Sequence, residues 1–470
     1  MTTSQVDILI RDAVVITQNE HREIIYDGAV AIDGGTIKAV GQTDEIVGRY
    51  AGRRTLDGAQ KAVIPGLVDT HHHFLQNFLK GSRDDLALET WIDQVSAPRI
   101  VAAVQDYLEG RHGLQLHATR LGCVEALRSG ITCILNMEWA TAPEIVDVYE
   151  EMGIRAAHTL TLTDVDQWQA CGMLLPMDEA MRLADRLIAR CQASDLVSFW
   201  YGLACPNSCS RELFETVRER AVEDGSRLHV HIAETEFEWH NIHELYGTTP
   251  VGFLHEIGVL GPDVLGAHCI WLSDQDIEIL QETGTAVSHN PECNMKVADG
   301  AAPIAQMVDQ GVTVSLGTDS CAVNDNMDMF EAMRVAAFLQ KVTTMDPAVI
   351  PAAQAFDMGT LGGARALGLG DQIGSLEVGK RADVVLVDLS QAHMRPINSM
   401  LNNLVYAASA ASDVETVIVD GKIVVEGREL LTCDEEAVIA EAEAFALRRF
   451  SEAGLKISPY YQTSRKDKTQ

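Results

Sequence analysis

Pro65-Gly66-Leu67-Val68-Asp69-Thr70-His71-His72-His73 is the stretch on which the reading of this chain turns. An apolar run beginning at Val63 leads straight into three histidines. At the end of an extended strand, residues i and i+2 face the same side, so His71 and His73 can reach one metal ion while His72 points away. Imidazole nitrogens suit zinc and its transition-metal neighbours. A single His-x-His is a weak signal. Four more segments follow in order: His229-Val230-His231-Ile232-Ala233-Glu234, Ala267-His268-Cys269, Ser288-His289-Asn290-Pro291 and Gly317-Thr318-Asp319. As a set they call for a divalent cation and a water for it to activate.

Outward from these segments the chain changes character twice. Residues 66–375 alternate short apolar strands, such as Ile131–Leu135, Arg227–His231 and Val312–Leu316, with helices. Ser210 and Ser273 stand as N-caps before two of those helices. Strand–helix alternation over this length predicts an α/β fold with a parallel sheet closed as a (β/α)₈ barrel, where catalytic groups collect at strand C-terminal ends. Residues 1–65 and 376–430 read instead as short strands and turns, with Asp33-Gly34-Gly35 and Asp420-Gly421 as hairpin signals. The two ends are therefore expected to build one small β domain around the barrel. Residues 431–470 read as a C-terminal helix and a frayed tail.

Each segment carries its own chemistry. His231 ends an apolar strand and offers a third nitrogen, and His229 shares its face and is the rival ligand. Glu234, three residues on, is placed to take a proton from an activated water and pass it to a leaving group. His268 is placed to hold the attacking hydroxide or the developing tetrahedral centre. Asp319 would complete the metal shell, because a buried carboxylate needs a cation nearby. His289 either touches substrate or packs the barrel mouth. Asp84, Asp85, Glu89 and Trp91 either line that mouth or take ordinary surface and core roles. Met295, Met307, Met327 and Met329 read as core or pocket lining.

The 470 residues include 68 acidic and 36 basic side chains, a formal net charge of −32. That excess argues against nucleic acid and anionic membrane surfaces as partners. Ten cysteines are scattered through apolar segments, unlike a disulfide scaffold, so reduced thiols and a cytoplasmic location are expected. Cys205 and Cys209 lack a second pair that would make a structural zinc site.

Taken together, these residues resemble the metal-dependent amidohydrolase superfamily, in its branch of heterocycle deaminases and triazine chlorohydrolases. Pro65–His73, Ser288–Pro291 and Gly317–Asp319 carry the resemblance, and Ile373–Asp383 is similar to the segment that returns the chain to the small domain. The resemblance implies a distorted (β/α)₈ TIM barrel with a β-sandwich built from both termini. It implies one divalent metal per chain, Zn²⁺ or Fe²⁺, held by His71, His73, His231 and Asp319. Glu234 would be the proton shuttle and His268 the group that holds the hydroxide. The implied activity is deamination of an amino-substituted purine, pterin, pyrimidine or triazine, with two alternatives: removal of chloride or a substituted amine, or deamination of an S-adenosylhomocysteine- or methylthioadenosine-type nucleoside. Gln76 and Tyr246–Pro250 are similar to the guanine and triazine members, and Leu160 and Ala204 stand where nucleoside members hold a polar tail. Val314–Arg334 resembles the nucleoside deaminases. Gln76, Trp91, His289 and Asn324 are the expected substrate contacts, and a homodimer or homotetramer is the implied assembly.

Overall fold

The computed structural model describes residues 3–83, 85–165, 172 and 174–454. Five strands come first: β1 (Ser4–Ile16), β2 (Ile24–Asp33), β3 (Thr36–Gln42), β4 (Tyr50–Asp57) and β5 (Lys61–Pro65). Eight parallel strands follow: β6 (Leu67–His72), β7 (Ile131–Asn136), β8 (Arg155–Leu162), β9 (Val197–Leu203), β10 (Arg227–Ile232), β11 (Val264–His268), β12 (Ala286–His289) and β13 (Val314–Leu316). They lie side by side in chain order with helices between them, which is a (β/α)₈ barrel. Most are buried along their whole length, as expected for strands covered on both faces.

The barrel closes where its first strand meets its last. His72 pairs with Asp319 in a parallel bridge, and the Asp319 N–H donates to the His71 carbonyl at 2.8 Å. One layer deeper, Thr70 Oγ1 bonds Ser288 Oγ and Ser315 Oγ, each at 2.8 Å. The seam of the barrel and two of the sequence segments are thus the same place. Ser210 and Ser273 cap their helices as expected, Ser273 in a reciprocal capping box with Asp276.

The last strands, β14 (Val384–Asp388), β15 (Val414–Val419), β16 (Lys422–Glu426) and β17 (Glu429–Leu430), join β1–β5 in one nine-stranded sheet. β5 pairs with β14, Val63 opposite Leu386, so the two ends of the chain meet at its centre. Both hairpin signals make turns: Asp33 pairs with Thr36, Val419 with Lys422, and Asp420 and Gly421 both take positive φ. Alternation sorts the side chains. Val63, Val384, Leu386 and Ile418 face the sheet's own core, while Ala62, Ile64, Val385, Val387, Val417 and Val419 join the barrel core. Buried Arg155, the first residue of β8, bonds both carboxylate oxygens of Asp383 at 3.0 and 3.2 Å and fixes the sheet against the barrel.

Between β6 and β7 the chain forms a roof over the barrel mouth. It runs through a 3₁₀ turn at Phe74–Leu79, a helical turn at Leu88–Trp91, a π turn at Ile92–Ser96 and a helix at Ala97–Leu108. The C-terminal helix Glu435–Glu452 braces this roof: Ala446 and Phe450 pack with Leu75, Leu79, Trp91 and Val95, and Arg449 pairs with buried Asp106 at 2.8 Å. The tail from 455 lies outside the described residues. Met307, Met327 and Met329 are buried, but Met295 is 53% exposed on the short helix Pro291–Lys296 and belongs neither to core nor to pocket. No helix among the described residues is long and apolar enough to cross a membrane.

Candidate active site

A single cavity at the barrel mouth is lined by His73, His231, Glu234, His268 and Asp319 from the strand ends. Gln76, Leu88, Trp91, Ile92, Ser96 and Ile100 line it from the roof. His71 lies just beneath, fully buried.

The histidines are oriented by hydrogen bonds that also fix their protons. His73 Nδ1–H donates to the Met137 carbonyl and His231 Nδ1–H to the Ala204 carbonyl, both at 2.6 Å. A carbonyl only accepts, so each ring carries its proton on Nδ1 and leaves Nε2 bare. His71 reaches the same state through a second histidine. His229 Nδ1–H donates to the Leu265 carbonyl at 2.9 Å, so His229 Nε2 is an acceptor, and it takes the Nδ1–H of His71 at 2.7 Å. His71 Nε2 is left buried without a hydrogen-bond partner. Asp319 Oδ1 stands 3.5 Å from His71 Nε2 and 3.6 Å from His73 Nε2. Burial pushes the basicity of His71, His73 and His231 below the ordinary imidazole value, so all three rings are neutral donors. Asp319 is buried with Oδ1 facing the bare Nε2 atoms of His71 and His73, an opposition of lone pairs that a cation between them reconciles. Three bare nitrogens, one of them orphaned, and one carboxylate oxygen fit a divalent cation of the zinc class.

Beside them stand His268 and Glu234. His268 Nδ1 bonds Asn294 Oδ1 at 2.9 Å, and Nε2 lies 3.4 Å from Glu234 Oε1. Burial, reinforced by the charges of Asp299 and Asp319, pushes the Glu234 carboxyl well above its ordinary value. The turn that presents it is tied down by Glu238, whose carboxylate accepts the N–H groups of Ala233 at 2.9 Å and Glu234 at 3.2 Å. Ala233, His268 and Asp319 all have positive φ, a strained conformation for non-glycine residues that clusters at functional sites. Gly317 allows the close approach behind Asp319, since a Cβ there would sit 2.4 Å from Asn290 Oδ1 and 2.7 Å from His71 Cβ.

Seven of the residues singled out in the sequence meet at or directly under this cavity: His71, His73, His231, Glu234, His268, Asp319 and Gln76. Trp91 joins them from the roof. His289 and Asn324 do not. His289 is fully buried behind His268 and does not line the cavity, and Asn324 Nδ2 is turned inward to the carbonyls of Thr318 and Asn326. Glu89 lies close enough for its charge to act on Glu234 and Asp299, Asp85 is exposed, and Asp84 lies outside the described residues. Four residues escaped the sequence reading: His229 as the support of His71, Glu238, Asn294 and Cys293. Only Glu238 had a visible signal, in the helix-start pattern Thr235-x-x-Glu238.

Comparison with known proteins bears on this site. Residues 62–424 match the amidohydrolase family. A 5'-deoxyadenosine deaminase of Methanosarcina mazei is 38% identical over 443 residues, covering 94% of this chain and 98% of that protein. A 5-methylthioadenosine/S-adenosylhomocysteine deaminase of Syntrophobacter fumaroxidans is 35% identical over 446 residues, covering 95% and 99%. The crystal structure of an adenosine deaminase from Xanthomonas campestris with bound zinc is similar with a TM-score of 0.89 at 33% identity, covering 96% of this chain and 100% of that one. With its barrel, its ordered histidine and carboxylate segments and this match over most of its length, the chain belongs to the amidohydrolase family.

Proposed function

We propose that this chain is a metal-dependent aminohydrolase that releases ammonia from the purine of an adenosine-type nucleoside with an uncharged 5' end. The observation that carries the reading is the convergence of three bare imidazole nitrogens and Asp319 beside a buried Glu234, under an apolar roof. His71, His73, His231 and Asp319 would hold the metal, with zinc the cation that suits three nitrogens and one oxygen. When bound, such a cation makes a water acidic enough to ionise near neutral pH. Glu234 takes a proton from the attacking water and delivers it to the departing amino nitrogen, a double duty that suits a buried carboxyl held well above its ordinary value. His268 holds the water on the side facing the ring carbon. Water adds at that carbon, the carbon–nitrogen bond breaks, and ammonia leaves.

The names of the relatives support a nucleoside over a free base or a triazine, in line with Val314–Arg334 and against the lean suggested by Gln76. The cavity narrows the choice further. Leu88, Trp91, Ile92, Ile100, Trp139 and Val323 give it an apolar wall, and no lysine or arginine is among its described lining. Its charged members are Glu234 and Asp319, with Glu89 and Asp299 close by. The carboxylate of a zwitterionic amino-acid tail would meet like charge there and find no lysine or arginine among the described lining. A 5'-deoxy or 5'-methylthio group would meet apolar surface.

Ammonia release by metal-counted enzyme tests this on adenosine, 5'-deoxyadenosine, 5'-methylthioadenosine, S-adenosylhomocysteine, guanine and an aminotriazine. The neutral adenosine derivatives should turn over at least ~10-fold faster, by kcat/KM, than S-adenosylhomocysteine, a preference of about 1.4 kcal/mol. Full metal occupancy with no ammonia from any of them would sink the reading.

A further inference from the structure

One outer face of the molecule departs from the charge pattern of the rest. The chain carries 68 Asp and Glu in 470 residues, about one in seven. Residues 389–412 carry none, the longest such run in the chain, and residues 332–356 carry only Asp346. The fold brings these two segments together. The helix Met329–Thr344, which follows the last barrel strand, packs against the helix Met400–Tyr406. Arg334 ties them by donating to the carbonyls of Val405 and Ala408. Phe338 stacks on Tyr406, with ring centroids 5.4 Å apart and planes 5° from parallel.

The outward side of this pair is apolar. Phe338 and Val342 stand four apart on one side of the first helix, 53% and 64% exposed, and Met345 follows at its end, 84% exposed. Met345 caps the helix in the left-handed conformation with φ 56°, where glycine carries no Cβ penalty and methionine does. So exposed a side chain gains little packing within its own chain to offset that strain. The cations of the face are turned onto backbone: Lys341 donates to the carbonyls of Val349 and Ile350, and Arg395 Nε to the Leu389 carbonyl at 2.8 Å. Exposed apolar side chains elsewhere stand differently. Tyr26, Leu108, Val222, Phe237 and Val378 each have an Asp or Glu as chain neighbour.

We propose that the face built from Phe338, Val342, Met345 and Tyr406 docks a second copy of this chain across a two-fold axis. In a two-fold contact a patch meets itself. For a chain with a formal net charge of −32, most of the surface would then set acid against acid. An apolar patch without acids escapes that repulsion and removes surface from water on both copies at once. The Arg334 bonds and the ring stack hold the two helices together before contact, so little order has to be imposed on docking. A basic partner would be drawn to the acidic remainder of the surface instead. The proposal needs nothing from the aminohydrolase reading.

The test is sedimentation equilibrium of the full chain at several concentrations and two salt levels. The wild type should be dimeric at micromolar concentration. Its Kd should tighten by about 10-fold between ~50 and ~500 mM salt, because salt screens the repulsion between two acidic bodies. Val342→Glu, at a position with little packing to lose, should weaken the dimer at least ~100-fold by setting acid against acid, with unchanged circular dichroism. Met345→Gly should have two opposite effects: a dimer weaker by about 10-fold, and a higher melting temperature for the dilute monomer, since glycine accepts the positive φ. Tyr26→Glu, beside Asp27, should leave the dimer as it is. A wild type that stays monomeric at ~100 μM, a dimer that loosens as salt rises, or a Val342→Glu variant that associates like the wild type overturns the proposal. A tetramer that Val342→Glu splits in half keeps this face as one of its two interfaces.

Discussion

The floor and the roof of the cavity are built on opposite plans. On the floor, nearly every polar atom is committed. The rings of His73 and His231 are pinned to carbonyls, His71 to His229, and the Glu234 turn to Glu238, all on or beside strands buried in the barrel. The roof contributes Leu88, Trp91, Ile92 and Ile100, a loose Gln76–Ser96 contact at 3.4 Å, and an indole Nε1 of Trp91 that is buried without a partner. Its helices are short and broken by a π turn, and it is held in place mainly by apolar packing against the C-terminal helix. A pinned floor keeps reacting groups at fixed distances. A roof held by packing can change its lining without disturbing them, which is how one barrel serves many substrates.

The division can be broken from the floor first. Glu234→Gln should retain the resident metal and lose about 10³-fold or more in kcat, because the amide cannot carry the proton. A near-wild-type rate in single-turnover assays would take Glu234 out of the chemistry. His229→Leu removes the acceptor that fixes the His71 tautomer, so metal affinity measured against a chelator should fall about 10–100-fold, with KM unchanged once metal is saturating. An unchanged affinity would mean that His71 needs no support. Trp91→Ala tests the roof. Its effect should fall on KM, by about 10-fold, with kcat within a factor of about three, and the reverse pattern would move Trp91 to the floor.

A last test lies outside the cavity lining, at Glu292 on the helix that follows β12. Both oxygens of Glu292 are buried without a hydrogen-bond partner, and burial pushes its pKa up to about 8. The folded chain therefore keeps a proton that the unfolded chain has already lost above the ordinary glutamate value of 4.5. By linkage, the stabilisation is complete below that value and declines as pH rises through 8, with an upper bound of about 5 kcal/mol. Glu292→Gln should flatten this slope. The melting temperature of the wild type should fall relative to the variant between pH 5.5 and 8.5, and parallel curves would show that Glu292 is solvated.

The floor was legible in the sequence because metal-binding chemistry demands particular residue types at particular strand ends. His71, His73, His231, His268 and Asp319 follow apolar runs whose register dictates where they point. The Asp-Gly turns were legible for a similar reason, since only a few residues tolerate positive φ. The supports were not. His229 differs from His231 only by which strand neighbour its ring meets, and that is settled by a carbonyl on β11, about 36 positions away. His289 was singled out because its segment matched, but a motif match does not say whether a strand-end ring lines the cavity or is fully buried outside its lining, as His289 is. Trp91 was visible and the π turn beside it was not, because a π turn has no compositional mark.

The central pairing of β5 with β14 joins residues 61–65 to residues 384–388. During synthesis, the first five strands therefore emerge long before the strand that covers Ala62 and Ile64 exists. Until then Lys61–Pro65 is an apolar edge with open backbone groups, the kind of surface that recruits a neighbouring chain. The barrel between them must form while this edge waits, so the sheet is the last part of the molecule to become whole. A ribosome that stalls anywhere in the barrel leaves behind an incomplete site attached to a sticky half-sheet, and such fragments should be found in aggregates and not among soluble apoenzyme.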